Sequence, residues 1–318
     1  MLIVNLKTEQ RAGNYSLLSN RLLEEITFAL QQEGKIVLFY NRKGYARRIV
    51  CKDCRHLFEC ADCKRPLIAV KPDSQSPELM CTYCKTKMRV SYCPRCKGTD
   101  LKFLGFGLQR ITQEFENRSI PISNILLKTH APTTDALPKE DALRARITLA
   151  ALLNADTDLY LPDFSSAVKT FNHIIAFKKY CQELCVPRVL VQTYAPLHYA
   201  IYYGVRNDFE GFLKKELQDR KKYNYPPYCQ LIKLMYQHTD QTACKKEAQK
   251  IYAVIKKLKI EDSEISVSPP SPAFIPKVRG NFRWQMVIKN QNDTVKIKNF
   301  LKTLPQSWLI DVDPISLL

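Results

Sequence analysis

Cys51-Lys52-Asp53-Cys54, Cys60-Ala61-Asp62-Cys63, Cys81-Thr82-Tyr83-Cys84 and Cys93-Pro94-Arg95-Cys96 set four CxxC pairs between Cys51 and Cys96. Structural zinc takes four ligands in a tetrahedron, and each pair offers two thiolates to one ion. Eight thiols therefore predict two closed sites and two Zn2+, with no open coordination position for catalysis. Two connectivities satisfy that geometry. In the sequential one, Cys51/Cys54/Cys60/Cys63 hold one ion and Cys81/Cys84/Cys93/Cys96 the other. In the nested one, Cys60/Cys63/Cys81/Cys84 form an inner site and Cys51/Cys54/Cys93/Cys96 an outer site. Spacing leaves both open. Nesting clamps entry and exit of the segment together, which suits a module inserted into another domain. Ferredoxin clusters use more compact cysteine runs, and four equivalent pairs single out no redox-active dithiol. His56 reads as a solvated or packing residue, since the cysteines already fill both sites.

Outward from the array, the flanks are α/β material. Met1–Leu6 predicts a strand, Ser19–Gln32 a helix and Lys35–Tyr40 a second, nearly all-apolar strand of the kind buried on both faces. Leu22, Leu23, Ile26, Ala29 and Leu30 share one helical face. Ser19 or Asn20 supplies a capping oxygen, and Gly34 is expected to end the helix in a left-handed turn. Within the array, Lys64–Met80 carries Pro66, Pro72 and Pro77 around a polar tip at Asp73–Ser76, a hairpin or loop pattern. Beyond it, Ile125–Lys128, Arg144–Leu153 and Val186–Thr193 are apolar segments. From about Asn207 the composition changes. Phe209–Lys222 predicts a charged helix stopped by Tyr225-Pro226-Pro227-Tyr228. Leu231–Tyr236, Ile265–Val267 and Trp284–Ile288 predict strands, Thr242–Leu258 a lysine-rich helix, and Pro269–Pro276 a proline-rich connection.

The 318-residue chain carries a formal net charge of +18, or about +14 once two four-thiolate zinc centres are counted. That balance favours a polyanionic partner through steering and counterion release. Between Arg42 and Lys102 stand 15 Lys or Arg against 6 Asp or Glu. Cations beside the zinc centres offset their negative charge, which accounts for only part of the excess. Arg47, Arg48, Lys52, Arg55, Lys64, Arg65, Lys85, Lys87 and Arg89, with Arg95 and Lys97, are the candidates for contacting phosphate. Phe58, Tyr83 and Tyr92 can stack on bases, although the better reading places them in a small core. Two further basic runs, Lys214-Lys215 with Arg220-Lys221-Lys222 and Lys245-Lys246 with Lys250 and Lys256-Lys257, fall on helices whose wet faces they can equally be. Lys7, Glu9 and Arg11 interrupt the first apolar run before a signal peptide or membrane span forms. The expectation is a cytoplasmic protein with reduced thiols and no membrane partner.

Together these residues resemble the C-terminal half of primosomal protein N′, the bacterial replication-restart helicase family. Gly13-Asn14-Tyr15-Ser16-Leu17-Leu18-Ser19 and Leu38-Phe39-Tyr40-Asn41-Arg42-Lys43-Gly44-Tyr45-Ala46 are similar to the opening of that family's second helicase lobe. The cysteine array follows where the family inserts its two-zinc module, and Leu104-Gly105-Phe106-Gly107 with Gln109-Arg110-Ile111 resembles the return. Asn154-Ala155-Asp156, Leu161-Pro162-Asp163-Phe164 and Gln192-Thr193-Tyr194 continue the likeness. Glu216-Leu217, Arg220 and Tyr225–Tyr228 resemble the junction with the C-terminal domain. Gly280-Asn281-Phe282-Arg283-Trp284-Gln285 and Asp311-Val312-Asp313-Pro314 resemble that domain itself.

The resemblance implies the nested zinc pairing. It implies an α/β fold class: a RecA-type parallel sheet like the second helicase lobe, an inserted two-zinc module and a C-terminal α+β domain. The expected boundaries are 1–50 and 97–206 for the discontinuous lobe, 51–96 for the module and 207–318 for the last domain. Departures from the family matter equally. The sequence holds no GxxxxGK[ST] phosphate loop and no partner acidic motif. Where the family places a Gly/Arg-rich motif, Ala176-Phe177-Lys178-Lys179-Tyr180-Cys181-Gln182-Glu183-Leu184 has neither residue, and lysines do not reproduce a guanidinium fork on a γ-phosphate. ATP hydrolysis by this chain alone is not expected. The leading expectation is a zinc-containing DNA-binding protein of the replication-restart type, with branched or fork-like DNA and replisome proteins as partners. The alternatives are one half of a split 3'-5' helicase completed by a separate ATPase lobe, with Lys43, Arg110 or Lys169 toward nucleotide, and a zinc-stabilised protein-interaction scaffold.

Overall fold

A computed structural model describes residues 1–40, 47–54, 56, 58, 61, 67–71, 78–80, 86–104, 108–128, 147–159, 161, 163–261, 265–291 and 295–318. Leu2–Asn5 forms strand β1, and the Asn5 side chain accepts from Lys7 N at 3.0 Å to cap helix α1, Leu6–Arg11. Helix α2, Asn20–Gln31, starts at Ser19, whose Oγ accepts from Leu22 N at 3.1 Å. The same hydroxyl donates to Gln192 Oε1 at 2.6 Å, which ties the helix start to a strand far along the chain. One expectation is corrected at the other end. The left-handed residue is Glu33, at φ 52°, not Gly34. Gly34 is required for space instead: a Cβ there would lie 2.0 Å from Thr148 Oγ1.

Strand β2, Lys35–Phe39, precedes a separate antiparallel sheet. Its strands are β3 (Arg47–Cys51), β4 (Ile68–Lys71), β5 (Glu78–Met80), β6 (Lys87–Arg89) and β7 (Leu101–Leu104), in the order β6-β5-β4-β3-β7. The expected hairpin is present, with β4 paired to β5 through Ala69↔Leu79. Strands β3 and β7 run side by side from Arg48↔Leu104 to Cys51↔Leu101, so entry and exit form a stem. Phe58, Leu67, Leu79 and Val90 make a small core with Cys51 and Cys93. So few apolar residues give this sheet only a small core of its own.

The chain then returns through α3 (Leu108–Asn117), β8 (Ile125–Lys128), β9 (Ile147–Leu152), α4 (Ser166–Glu183) and β10 (Arg188–Thr193). Among the described residues the first sheet has the order β1-β10-β9-β2-β8, with each neighbouring pair parallel. Parallel sheets bury both faces, and β2 displays the period-two alternation that requires. Ile36 and Leu38 pack with Leu22, Ile26 and Phe115, while Val37 and Phe39 pack with Ile174 and Phe177 on the opposite side.

Helices α5 (Tyr199–Arg206) and α6 (Phe209–Lys222) lead to the last unit. This holds β11 (Gln230–His238), α7 (Gln241–Glu261), β12 (Ile265–Val267), β13 (Ser271–Val278), β14 (Asn281–Asn290), α8 (Val295–Thr303) and β15 (Trp308–Val312). The sheet order is β12-β14-β11-β15, with β13 also on β14. Ala248, Ile251 and Ile255 of α7 close its core against Ile232, Leu234, Met286 and Ile288. The proline-rich connection is corrected here, because Pro272 and Pro276 lie within β13. They are tolerated because, among the described residues, β13 pairs only with β14, and its register shifts between Pro272 and Lys277. No described helix is long and apolar enough to cross a membrane.

Candidate metal centre and basic face

The stem brings two knuckles together. In each, the first cysteine's N–H reaches a carbonyl five residues on: Cys51 N to His56 O at 3.0 Å, and Cys93 N to Gly98 O at 2.8 Å. The second turn also bonds Lys97 N to Cys93 O at 2.9 Å and carries Lys97 at φ 61°. Gly98 lies against the Asp53 carboxylate, whose Oδ2 would be 2.1 Å from a Cβ placed there, so a larger residue would turn that side chain away. These turns aim four thiols at one point. Cys51 and Cys96 Sγ are 3.4 Å apart, Cys54 and Cys93 Sγ 3.6 Å, and all four atoms lie within 4.8 Å of one another.

Four thiolates around one Zn2+ at about 2.3 Å sit about 3.8 Å from each other, so the donor set and its dimensions fit that ion. Burial pushes the Cys93 thiol up, but N–H groups of Cys96 and Arg95 outweigh it and bring the thiol down to about 7. The assembled set is the one the nested pairing assigns to the outer site. Cys60, Cys63, Cys81 and Cys84 lie outside the described residues. The His56 and Phe58 ring centres lie 5.6 Å apart, and the His56 carbonyl accepts from Cys51 N within the first knuckle.

Several candidate phosphate contacts are placed and others are not. Arg47 and Arg48 belong to β3, in register with Ala69 and Ile68 of β4. Lys52 pairs with Asp100 at 2.8 Å and Lys87 with Glu78 at 3.7 Å. Both lysines are more than half exposed, where such pairs contribute little and compete poorly with phosphate. Arg89, Arg95 and Lys97 are exposed. Arg55, Lys64, Arg65 and Lys85 fall outside the described residues, as do Tyr83, Asn41–Ala46 and Gly105–Gly107. The aromatic candidates divide. Phe58 is core at 2% exposure, whereas Tyr92 is 51% exposed with Lys97 Nζ 5.2 Å from its ring centre, against the core placement expected for it.

In the segment 176–184, Phe177, Tyr180 and Cys181 are buried on α4 against the parallel sheet. Lys178 Nζ donates to Val205 O at 3.4 Å and Lys179 pairs with Glu183 at 3.8 Å. The two lysines thus have local partners. Lys169 pairs with Asp163 at 2.8 Å, Arg110 belongs to α3, and Lys43 lies outside the described residues.

Sequence reasoning missed two polar centres. The buried Asp156 accepts from Thr193 Oγ1 and Tyr194 N, and burial pushes its carboxyl up despite those bonds. Asp163 accepts from Lys169 Nζ, Ser165 Oγ, Ser316 Oγ and Leu317 N. Burial opposes its ionisation, but Lys169 and the other donors outweigh that and hold it at about 2. The available signal was the short motif around each aspartate; the partners 153 positions away gave none.

Residues 221–315 match the family model described as the primosomal protein N C-terminal domain. Over 98% of its length the chain is 28% identical to replication restart protein PriA of Bacillus subtilis, covering 41% of that protein. It is 26% identical to PriA of Borreliella burgdorferi over 99% of its length and 51% of that protein. It is 30% identical to PriA of Synechocystis sp. over 99% of its length and 41% of that protein. The chain thus spans about half the length of the curated relatives it matches.

Proposed function

The chain corresponds to the C-terminal half of the PriA family, and on that premise we propose that it acts in replication restart as a zinc-containing DNA-binding protein. One observation carries the reading: four thiols converge where the stem closes an antiparallel sheet rich in lysine and arginine. Cys51, Cys54, Cys93 and Cys96 hold one Zn2+, with Cys60, Cys63, Cys81 and Cys84 holding a second. The zinc contribution is structural, fixing the knuckles in a module whose own core is small. Arg47, Arg48, Arg55, Lys64, Arg65, Lys85 and Arg89 then meet the backbone of branched or fork-like DNA in the cytoplasm, and replisome proteins are recruited there. The parallel sheet is the second lobe of a RecA-type helicase. Its helix α4 spends the segment 176–184 on core packing and local partners, so that segment offers no guanidinium to a γ-phosphate.

Titration of labelled fork and duplex DNA at several salt concentrations tests the proposal. Binding with a steep salt slope is expected, because each neutralised phosphate releases a counterion. Replacing Arg47, Arg48 and Arg55 together is expected to weaken binding and flatten that slope while zinc content holds. Unchanged affinity would end the assignment of this face to phosphate.

A further inference from the structure

The second knuckle presents a ring as well as charge. Between Lys87 and Lys97 the sequence Lys-Met-Arg-Val-Ser-Tyr-Cys-Pro-Arg-Cys-Lys carries four cations and no carboxylate. Val90 and Cys93 are buried and anchor the segment to the small core, leaving Tyr92 between them 51% exposed. Lys97 Nζ stands over the Tyr92 ring at 5.2 Å, and the Lys97 backbone is fixed in a left-handed turn by its N–H bond to Cys93 O. Strand β6, which delivers the segment, is at the edge of its sheet and is exposed at all three positions. An anchored aromatic face with cations beside it, and no acid within the segment, is complementary to an unpaired base with its phosphates. Duplex DNA keeps its base faces stacked inside and offers this ring nothing comparable.

Resting on the DNA-binding reading above, we infer that Tyr92 is a stacking platform for an unpaired nucleotide of single-stranded DNA, with Arg95 and Lys97 contacting the flanking phosphates. This adds a preference for unpaired strand to a charged face that by itself does not distinguish duplex from single strand.

Anisotropy titrations of the full chain with labelled oligo-dT and with duplex of equal length test this. Tyr92→Ala is expected to weaken oligo-dT binding roughly 5- to 100-fold, the range for losing one stacked base, and to leave duplex binding and zinc content unchanged. Tyr92→Trp is expected to keep affinity and to show fluorescence quenching by oligo-dT beyond that of the parent protein. The inference is overturned if Tyr92→Ala weakens neither DNA or both equally, or if the Trp variant binds oligo-dT without added quenching. A parent protein that binds duplex but not oligo-dT overturns this inference alone; one that binds neither overturns the DNA-binding reading as well.

Discussion

Asp163 and Ser316, 153 positions apart, share a 2.6 Å hydrogen bond in which the serine hydroxyl donates to Oδ2. Leu317 N donates to Oδ1 of the same carboxylate at 3.2 Å. From the other side, Lys233 Nζ donates to Leu318 O at 2.8 Å and Gln285 Nε2 to Leu317 O at 3.3 Å. Residues 316–318 are thus clamped between the turn at Asp163 and the sheet of the last unit. Phe164 stacks on Tyr225 at 5.4 Å, and Lys289 Nζ lies 3.6 Å from the Tyr225 ring centre while donating to Tyr223 O. The parallel-sheet unit and the C-terminal unit are joined by charge-assisted bonds and stacked rings, not by a loose linker.

Asp163→Asn keeps the shape but removes the charge that four donors serve, and it turns an amide toward some of them. Hydrogen bonds to a charged group contribute about 1.5–3 kcal/mol each, so a loss of roughly 2 kcal/mol is expected after relaxation. Urea unfolding measures it. Faster proteolysis within 313–318 is expected as well, because the segment loses its anchor. A variant within about 0.5 kcal/mol of the parent, the scatter of ordinary surface substitutions, would show that the clamp contributes no stability.

The same carboxylate sets a pH window. Its folded value of about 2 lies below the ordinary aspartate value of 3.8. A depressed acid contributes stability that is fully present above its unfolded value and is lost as pH falls through the folded one. The difference in unfolding free energy between the parent and Asp163→Asn should therefore hold down to about pH 4 and shrink between there and about pH 2. Metal loss in acid affects both proteins alike and cancels. A difference that stays constant over this range would contradict the linkage.

Cys93→Ser removes one of four converging thiols and leaves a hydroxyl, which is a poor zinc ligand. Zinc content by plasma mass spectrometry is expected to fall by one equivalent, with the stem between β3 and β7 exchanging amide hydrogens faster. Cys60→Ser is expected to lose one equivalent too, from the other ion, while the stem stays protected. Loss of both ions from either variant would mean that the two sites do not fold independently. Retention of both ions in Cys93→Ser would remove Cys93 from the ligand set.

What the sequence disclosed was local. The apolar run Lys35–Phe39 and the helical face Leu22, Ile26 and Ala29 are patterns of neighbouring residues, and both occupy the places that periodicity assigns them. Four CxxC pairs predicted thiolate sites for zinc, and four of those cysteines converge at distances compatible with one such ion. Misreadings arose where a distant contact decides. Gly34 does stand where α2 ends, yet the left-handed residue there is Glu33, and the space taken by Thr148, across the strand pair β2 and β9, explains the glycine. Pro269–Pro276 resembles a linker, yet an edge position lets prolines join a strand. Helix α8 and strand β15 carry no strong signal of their own and depend on the core around Met286 and Trp308. Tyr92 is the opposite case: its residue type suggested core, and the buried residues flanking it leave it outside.

Gly34 offers a test of packing free of charge or metal. Its N–H closes α2 by bonding Ala29 O at 2.9 Å, and its backbone is followed at once by β2, which lies between β9 and β8 in the parallel sheet. Gly34→Ala places a methyl 2.0 Å from Thr148 Oγ1 and 2.6 Å from Cγ2, distances that force one strand or the side chain to move. Overpacking of this kind typically costs about 1–3 kcal/mol. Thr148→Ala removes both clashing atoms but leaves Cβ at 2.8 Å, so it should recover part of the loss and not all of it. The double variant is therefore expected to be more stable than Gly34→Ala alone, a positive coupling that chemical denaturation of all four proteins in the cycle measures. Additive losses would mean that the cost of the added methyl does not come from the threonine packed against it.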